Sequence, residues 1–348
     1  MDINIILPYK ETYTEKIAGA VSLLVAEVKN HCEFKKNIKI FGSLILKKPL
    51  TKGYISCDLS DKPFYYIFGR TSYYLKNIKK KILKKKSILE VHNRPQAANF
   101  FINNNNNNNK IILYFHNDPL TLRGSKYVYQ RIFLLKNLQK LIFVSEWTKR
   151  QFFKDLPVID SEKCLIIYPG SNLIKKNKKK INNIVFAGKL NQSKGYNIFT
   201  NVISEILNKN RSWTCDIVGD DPRYYEKINH PKIHYHGWLP YKKTMEIFEK
   251  SKIAVIPSTW DEPLGRTAIE AASRGCVSII SKRGGLIETN RHGVFLKYVT
   301  KEELYNKLSK IINSPSLINS YSKKTFKEFK HSINKTINQI NTIYKELQ

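Results

Sequence analysis

Short apolar runs alternate along this chain with longer segments whose apolar residues recur at helical spacing. The first run covers residues 3–7, and a segment with helical spacing follows it through Val28. Further runs with the length of buried strands lie at 38–46, 54–57, 87–91, 110–115, 140–144, 183–187, 215–218, 253–257 and 276–280. Strands that alternate with helices in this way predict an α/β chain.

The strand and helix pattern restarts near residue 183. Pro169, Gly170 and Ser171 follow an apolar run, and a charged run at 175–180 comes after them. A length of 348 residues is also typical of two domains. We therefore predict a Rossmann-like domain over 1–170, a linker over 171–182, a second Rossmann-like domain over 183–318 and a final helix over 319–348.

The stretch from residue 253 to residue 288 predicts a strand, a short helix and a second strand. Good helix formers at 266–274 separate its two apolar runs. Ligands of parallel sheets bind beyond the carboxyl ends of the strands. Two carboxylates mark that edge, since Glu262 lies in the loop before the helix and Glu270 lies eight residues later.

Spacing alone leaves two interpretations of these carboxylates open. Eight helical residues rise about 12 Å, so the two side chains can meet separate parts of a long ligand. Gly265 and the amides of the first turn would then suit a phosphate. Alternatively, Arg266, Glu270 and Arg274 form a solvated ion-pair face, because they are spaced four residues apart.

This stretch resembles the C-terminal signature of family-4 glycosyltransferases. Their signature has two glutamates separated by seven residues, with a glycine soon after the first and small residues after the second. Glu262, Gly265 and Glu270 match it here. Upstream, 188–195 resembles the family element whose two cations hold a diphosphate, and Gly219 begins a segment that resembles the turn near the nucleotide.

The resemblance implies the GT-B fold, in which two Rossmann-like domains face each other across a cleft and a C-terminal helix crosses back to the first domain. It also implies transfer of a sugar from a nucleotide-sugar donor with retained configuration. Lys189 and Lys194 would stabilise the leaving diphosphate, Glu262 would orient the donor sugar and His116 would support that sugar. The implied donor-binding residues are Gly19, Gly188, Gly219, Pro263, Leu264, Gly265 and Glu270, the last of which would bind the ribose.

Two polar phrases of the first domain resemble those of bacterial glycosyltransferases that build lipopolysaccharide or other envelope polysaccharides. Each follows a predicted strand, and they begin at His92 and His116. The resemblance implies a saccharide or glycolipid acceptor that is read by this domain. The implied acceptor-binding residues are His92, Asn93, Arg94, Asn117 and Asp118. The UDP-, GDP- or ADP-linked nature of the donor stays open.

Cysteine usage and hydropathy favour a cytoplasmic protein. The five cysteines are scattered without a CxxC pair, and an acidic residue lies at position 2, where a signal peptide needs positive charge. No run of 18 apolar residues is present. The resemblance implies chemistry without a metal or other cofactor, and we interpret His234 and His236 as structural.

The formal charge of +32 widens the range of partners. A basic surface attracts nucleic acid, anionic lipid and polyanionic saccharide alike, whereas compositional bias toward lysine gives the same charge without a function. A basic nucleic-acid or membrane-binding protein on a degenerate Rossmann scaffold is therefore one alternative, and a GT-B sugar-nucleotide epimerase is another. We expect no nucleic-acid partner and a peripheral contact with the inner face of the plasma membrane, helped by the lysines at 79–86.

Overall fold

The computed structural model describes residues 1–15, 17–43, 48–57, 69–82, 85–157, 160–174, 179–221 and 227–348. It divides the chain into two compact units. The first unit contains Met1–Pro169 together with Asn334–Gln348, and the second contains Gly170–Ile333. Part of the predicted strand at 38–46, Lys84 and most of the charged run at 175–180 lie outside the described residues.

Seven parallel strands form the sheet of the first unit within its described residues, in the order β3-β2-β1-β4-β5-β6-β7. They are β1 (Asp2–Ile6), β2 (Ile38–Ser43), β3 (Tyr54–Cys57), β4 (Ser87–His92), β5 (Lys110–Phe115), β6 (Lys140–Phe143) and β7 (Cys164–Ile166). The intervening helices are α1 (Ala20–His31), α2 (Arg70–Lys81), α3 (Pro95–Asn103), α4 (Val128–Asn137) and α5 (Glu146–Phe153). Strands β4 and β5 are buried almost throughout, as expected for a parallel sheet covered on both faces.

Six parallel strands form the sheet of the second unit within the part described, in the order β10-β9-β8-β11-β12-β13. They are β8 (Ile181–Ala187), β9 (Thr214–Val218), β10 (Ile233–Tyr235), β11 (Ser251–Ile256), β12 (Val277–Ser281) and β13 (Val294–Leu296). The helices are α6 (Tyr196–Lys209), α7 (Tyr241–Lys250), α8 (Arg266–Ser273), α9 (Lys301–Ile312) and α10 (Pro315–Lys327). The predicted α/β class with two parallel sheets is confirmed.

Successive residues of β8, the central strand of the second sheet, pack on opposite faces of that sheet and contribute to an apolar core on each face. Ile184 and Phe186 of β8 join one apolar cluster with α6 and α9, whereas Val185 joins another with α7 and α8. Successive strand residues face opposite sides of a sheet, so one short apolar run serves both layers of helices.

The last helix, α11 (Ile333–Leu347), belongs to the first unit. Thr336 Oγ1 donates to the carbonyl of Tyr168 at 2.7 Å, and Asn341 Oδ1 accepts from Cys32 Sγ at 2.9 Å and from the N–H of Glu33 at 3.1 Å. The predicted return of a C-terminal helix to the first domain is therefore present.

The single helix predicted over 319–348 is instead two helices, α10 and α11. The chain between them is extended, because Ser332 pairs with Ser171 in an isolated parallel bridge. The N–H of Ser171 donates to the carbonyl of His331, and the N–H of Ile333 donates to that of Ser171. This bridge also places Ser171, which the sequence assigned to a linker, inside the second unit.

None of the helices described in the structure is both long and apolar enough to cross a membrane.

Replacing Asn341 by alanine should lower the free energy of unfolding by about 1–3 kcal/mol, because the buried thiol of Cys32 and the partly buried N–H of Glu33 lose their acceptor. Urea unfolding of the full chain measures this change. The matched control is Asn338→Ala on the exposed side of the same helix, which should change stability by less than about 0.5 kcal/mol. Equal effects of the two substitutions would contradict the role given to Asn341.

Candidate active site

Most of the predicted donor-binding residues lie at one edge of the second sheet, beyond the carboxyl ends of β8, β9 and β11. The chain leaves β8 for β9 on one side, while β11 lies on its other side. This reversal of strand order is a topological switch point, where the loops of neighbouring strands separate and leave a crevice. Gly188 and Lys189 directly follow β8, and Glu262 lies in the loop after β11.

Two predicted catalytic residues, Lys194 and Glu262, contact each other at this edge. Lys194 Nζ lies 2.5 Å from Glu262 Oε1, and Ser258 Oγ donates to the same oxygen at 2.7 Å. The carboxylate is only 5% exposed, whereas the lysine is half-buried. An ammonium group carries three N–H donors, so Lys194 can bind a phosphate oxygen while it keeps Glu262.

Trp260 completes the surroundings of the Lys194 ammonium group. Its ring centroid lies 5.3 Å from Nζ, within the range of a cation–π contact. The indole is 42% exposed, which is unusual for a tryptophan. Neither Trp260 nor Ser258 was predicted from the sequence, although both lie between β11 and the first glutamate of the signature.

The backbone of the loop after β8 is locked against the loop after β11. Gly195 has φ of +70°, and a Cβ atom there would lie 1.9 Å from the carbonyl oxygen of Pro257. The N–H of Thr259 also donates to the carbonyl of Ser193 at 3.0 Å. Only glycine fits this approach, so Gly195 fixes the distance across which Lys194 reaches Glu262.

Gly188 and Gly219 allow the loop after β8 to approach the loop after β9 as closely as it approaches the loop after β11. A Cβ atom on Gly219 would lie 1.8 Å from the Gly188 carbonyl oxygen, and both residues have positive φ. Apart from its chain neighbours, no atom of the described residues lies within 4 Å of a Cβ built on Gly188, so a ligand can approach its backbone. Lys189 is exposed and forms no ion pair with any residue in the described ranges.

Glycines behind the signature loop also support it. The N–H of Gly285 donates to the carbonyl of Glu262 at 2.7 Å, and a Cβ on Gly284 would lie 2.2 Å from the same oxygen. Pro263 and Leu264 are buried, and Gly265 begins α8 with φ of +90°. These contacts set the direction in which the Glu262 side chain leaves the loop.

Glu270 lies in α8 and forms an ion pair with Arg266. Arg266 Nε lies 2.8 Å from Glu270 Oε1, and its guanidinium group lies 5.5 Å from the ring of Tyr241. Burial raises the pKa of the Glu270 carboxyl group, and the charge of Arg266 opposes this rise. The predicted pair is therefore real, but the interpretation as a solvated face is wrong, because both side chains are only 10% exposed.

The predicted acceptor-binding residues lie at the carboxyl ends of β4 and β5 in the first unit. Asn93 has φ of +52°, and its Oδ1 accepts from the N–H groups of His116 at 3.2 Å and Asn117 at 3.0 Å. Arg94 Nη1 donates to the Asn93 carbonyl, and Asp118 Oδ1 accepts from the N–H of Leu120 at 2.9 Å. Asn93 therefore joins the two phrases that the sequence singled out.

The position of His92 argues against a direct contact with the acceptor. Its side chain is 1% exposed, its Nδ1 lies 2.9 Å from Nε2 of His116, and its Nε2 lies 2.8 Å from Oε1 of Glu90. His116 is more exposed than His92. The sequence analysis missed Glu90, an acidic residue inside an otherwise apolar strand.

The structure also argues against Gly19 as a donor-binding residue. Glu11 Oε1 accepts from both the N–H and the hydroxyl group of Ser22 in the first turn of α1. A Cβ on Gly19 would lie 2.6 Å from that oxygen. A carboxylate thus occupies the place where a phosphate would meet this helix.

His234 and His236 do not form a metal site with other residues in the part of the chain described. His236 Nε2 lies 2.6 Å from Asp216 Oδ1, and His234 is exposed. Across the described ranges, no group of three or more histidine, cysteine, aspartate or glutamate residues has metal-binding geometry.

Residues 171–328 match the family model described as glycosyl transferases group 1. The matched residues make up less than half of the chain, and they lie within its second unit.

Two solved structures share the fold over nearly the whole chain. Anabaena Alr3699/HepE in complex with UDP has a TM-score of 0.74 and 13% identity, with 100% of both chains covered. A glycosyltransferase from Rickettsia africae has a TM-score of 0.71 and 20% identity, with 99% of this chain and 98% of that chain covered. The fold is the GT-B fold, with two Rossmann-like domains.

Two curated relatives match parts of the chain. An uncharacterized 41.2 kDa protein in the cps region of Klebsiella pneumoniae is 31% identical over 141 residues, which are 40% of this chain and 38% of the relative. The putative glycosyltransferase YtcC of Bacillus subtilis is 25% identical over 251 residues, which are 62% of each protein. The chain therefore spans less than two thirds of either relative.

Replacing Gly195 by alanine should disrupt the Lys194 loop. A left-handed non-glycine residue costs about 1–3 kcal/mol, and the contact with the Pro257 carbonyl adds to this cost. The matched control is Gly237→Ala, because Gly237 has φ of +61° and, apart from its chain neighbours, no atom in the described part of the chain lies within 4 Å of a Cβ built there. Thermal unfolding should show a larger loss for Gly195→Ala, whereas equal losses would contradict the close approach.

Proposed function

We propose that this protein is a retaining glycosyltransferase that moves a sugar from a nucleotide-sugar donor to a saccharide acceptor. The observation that carries the proposal is the contact between Lys194 and the buried carboxylate of Glu262 at the switch point of the second sheet. A cation and an anion are held there side by side, next to backbone that only glycine can form. This arrangement suits a ligand that has both phosphate groups and hydroxyl groups.

Lys194 and Lys189 bind the diphosphate of the donor in this proposal. Charge builds on the diphosphate as its bond to the sugar breaks, and preorganised cations stabilise that charge most strongly in a water-poor site. Lys194 is preorganised by Glu262, and Lys189 adds an exposed point charge after β8. These cations do the work that a metal ion does in other transferases, so we propose turnover without a metal.

Glu262 binds the donor sugar and Glu270 binds the ribose. In each carboxylate, one oxygen accepts from a protein cation, at Lys194 and Arg266 respectively. The second oxygen can accept from a ligand hydroxyl, and ionised acceptors form the stronger hydrogen bonds. These two ion pairs fix the direction of each carboxylate before the ligand arrives.

The comparisons support a UDP-linked donor ahead of GDP- or ADP-linked ones. Structures of Anabaena Alr3699/HepE are described as complexes with UDP and with UDP-glucose. The Klebsiella pneumoniae relative in the cps region supports an acceptor from lipopolysaccharide or another envelope polysaccharide. Asn93, Arg94, Asn117 and Asp118 would read that acceptor, with His116 beside them.

The membrane part of the proposal depends on charge alone. Lys79, Lys80 and Lys81 form the exposed end of α2, and Lys85 and Lys86 are exposed as well. Lysines so placed would attract an anionic glycolipid or the inner face of the plasma membrane. Peripheral contact with that surface remains a prediction.

The test is a transfer assay with UDP-, GDP- and ADP-sugars and an envelope saccharide as acceptor. Glu262→Gln keeps the size of the side chain but removes its charge, so we expect kcat to fall by about 100-fold or more. The exposed Glu302→Gln serves as the control and should leave kcat unchanged. NMR of the product should show the anomeric configuration of the donor.

An inverted product would contradict the retaining mechanism. An epimerised donor without transfer would favour the sugar-nucleotide epimerase. Equal activity of the Glu262→Gln variant and the parent would contradict the proposed site.

The role of Glu270 predicts a loss of nucleotide affinity. Glu270→Gln should weaken UDP binding by about 1–3 kcal/mol, because a charged acceptor for the ribose hydroxyls becomes neutral. Titration calorimetry with UDP and with uracil separates the contributions, since uracil has no ribose and should bind both proteins equally. An unchanged UDP affinity together with lower stability would show that Glu270 only pairs with Arg266.

A further inference from the structure

A chain of hydrogen bonds runs from the core of the first unit to the carboxyl edge of its sheet. Tyr344 on α11 donates to Glu90 Oε2 at 2.8 Å, and Glu90 Oε1 lies 2.8 Å from His92 Nε2. His92 Nδ1 then lies 2.9 Å from Nε2 of His116. Glu90 and His92 belong to β4, His116 directly follows β5 and Tyr344 belongs to α11, and all four lie in one compact unit.

The inner three members of this chain are almost completely buried. Glu90 is 2% exposed, His92 is 1% exposed and Tyr344 is 0% exposed. A buried carboxylate destabilises a fold unless donors satisfy it, and Glu90 has a donor at each oxygen. An apolar residue would fill this position in β4 at a lower cost in desolvation, so packing alone does not explain why a carboxylate lies there.

The donor in each hydrogen bond can be assigned by starting from Tyr344, the buried end of the hydrogen-bond chain. Burial raises the pKa of Tyr344 well above its usual range, and the nearby Glu90 carboxylate adds to the shift. The hydroxyl group therefore keeps its proton and donates to Glu90. The carboxylate can only accept, so Nε2 of His92 carries a proton.

The hydrogen bond to His92 also determines the tautomer of His116. A neutral His92 with its proton on Nε2 can only accept at Nδ1. His116 must then donate from Nε2, which leaves its Nδ1 as the ring nitrogen without a proton. The His116 ring is also held in place, because it stacks on Tyr114 at 4.5 Å and on His92 at 5.1 Å.

We propose that Glu90 and His92 are positioning residues that hold His116 in the tautomer whose Nδ1 is a hydrogen-bond acceptor. In this state Nδ1 of His116 can accept a hydrogen bond but cannot donate one. If Nδ1 takes up a proton, the bond from Nε2 to His92 survives, and Glu90 stabilises the new charge through His92. A carboxylate fixes the tautomer of a catalytic histidine by the same physical means in serine proteases.

The hydrogen-bond chain predicts how the substitution Glu90→Gln changes the tautomer of His116. Tyr344 still has to donate, so it donates to the carbonyl oxygen of the new side chain. The amide N–H then faces His92 Nε2, which becomes an acceptor, and His92 donates from Nδ1 to His116. The proton of His116 therefore moves to its own Nδ1.

The experiment is NMR of the full-length protein labelled with ¹⁵N-histidine, at a pH where the His116 ring is neutral. Signals of His116 are assigned with His116→Gln. The parent should show a protonated Nε2 in His116, and Glu90→Gln should show a protonated Nδ1. The double variant Glu90→Gln with Tyr344→Phe should return to the parent tautomer, because the Gln carbonyl oxygen is then free to face His92.

Tyr13→Phe controls for the loss of a buried polar contact alone. It removes a buried hydrogen bond to Thr51 in the same unit, so it should leave the His116 tautomer unchanged. The proposal is overturned if His116 has the same tautomer in the parent and in Glu90→Gln. It is also overturned if the parent already has its proton on Nδ1.

Only the effect on turnover rests on the proposed glycosyl transfer. Glu90→Gln should lower kcat by about 10–100-fold with little change in the KM for the donor, while Tyr13→Phe keeps the parent kcat. An inactive parent with the expected tautomers would contradict the proposed function but not the hydrogen-bond chain. An active Glu90→Gln variant with parent kcat and a changed tautomer would show that His116 plays no part in turnover.

Discussion

The contact between Lys194 and Glu262 depends on how closely two loops of one sheet approach each other. Gly195 meets the Pro257 carbonyl at a distance that excludes any side chain, and Gly284 meets the Glu262 carbonyl in the same way. Ser258 then supplies a second donor to the carboxylate. Since the ion pair is partly desolvated, removing either partner would leave a charge that water cannot fully solvate. The close contacts of Gly195 and Gly284 therefore hold the two charged groups together.

Much of the fold could be predicted from the sequence because parallel sheets leave a simple pattern. Strands such as β5 are apolar throughout, and polar residues reappear where each strand ends. That rule singled out His116 and Glu262 as candidates, whereas Gly188 was singled out through the resemblance of 188–195 to a family element. A resemblance to a known signature then separated Glu262 and Glu270 from the many other glutamates of the chain.

The rest could not be predicted because it depends on contacts between distant residues. Glu90 and Tyr344 are 254 residues apart in the chain, and only folding brings α11 to β4. Spacing alone does not reveal that Arg266 and Glu270 are buried, since the same spacing is typical of a solvated helix face. The break between α10 and α11 likewise needs Ser171 as a partner for Ser332.

The account as a whole rests on Lys194 and Glu262 as the contacts of a nucleotide-sugar. The most direct test is a crystal structure of the protein in complex with a UDP-sugar. The account predicts a phosphate oxygen within hydrogen-bond distance of Lys194 Nζ and a sugar hydroxyl within such a distance of Glu262. A nucleotide bound elsewhere, with Lys194 and Glu262 in contact only with each other, would contradict it.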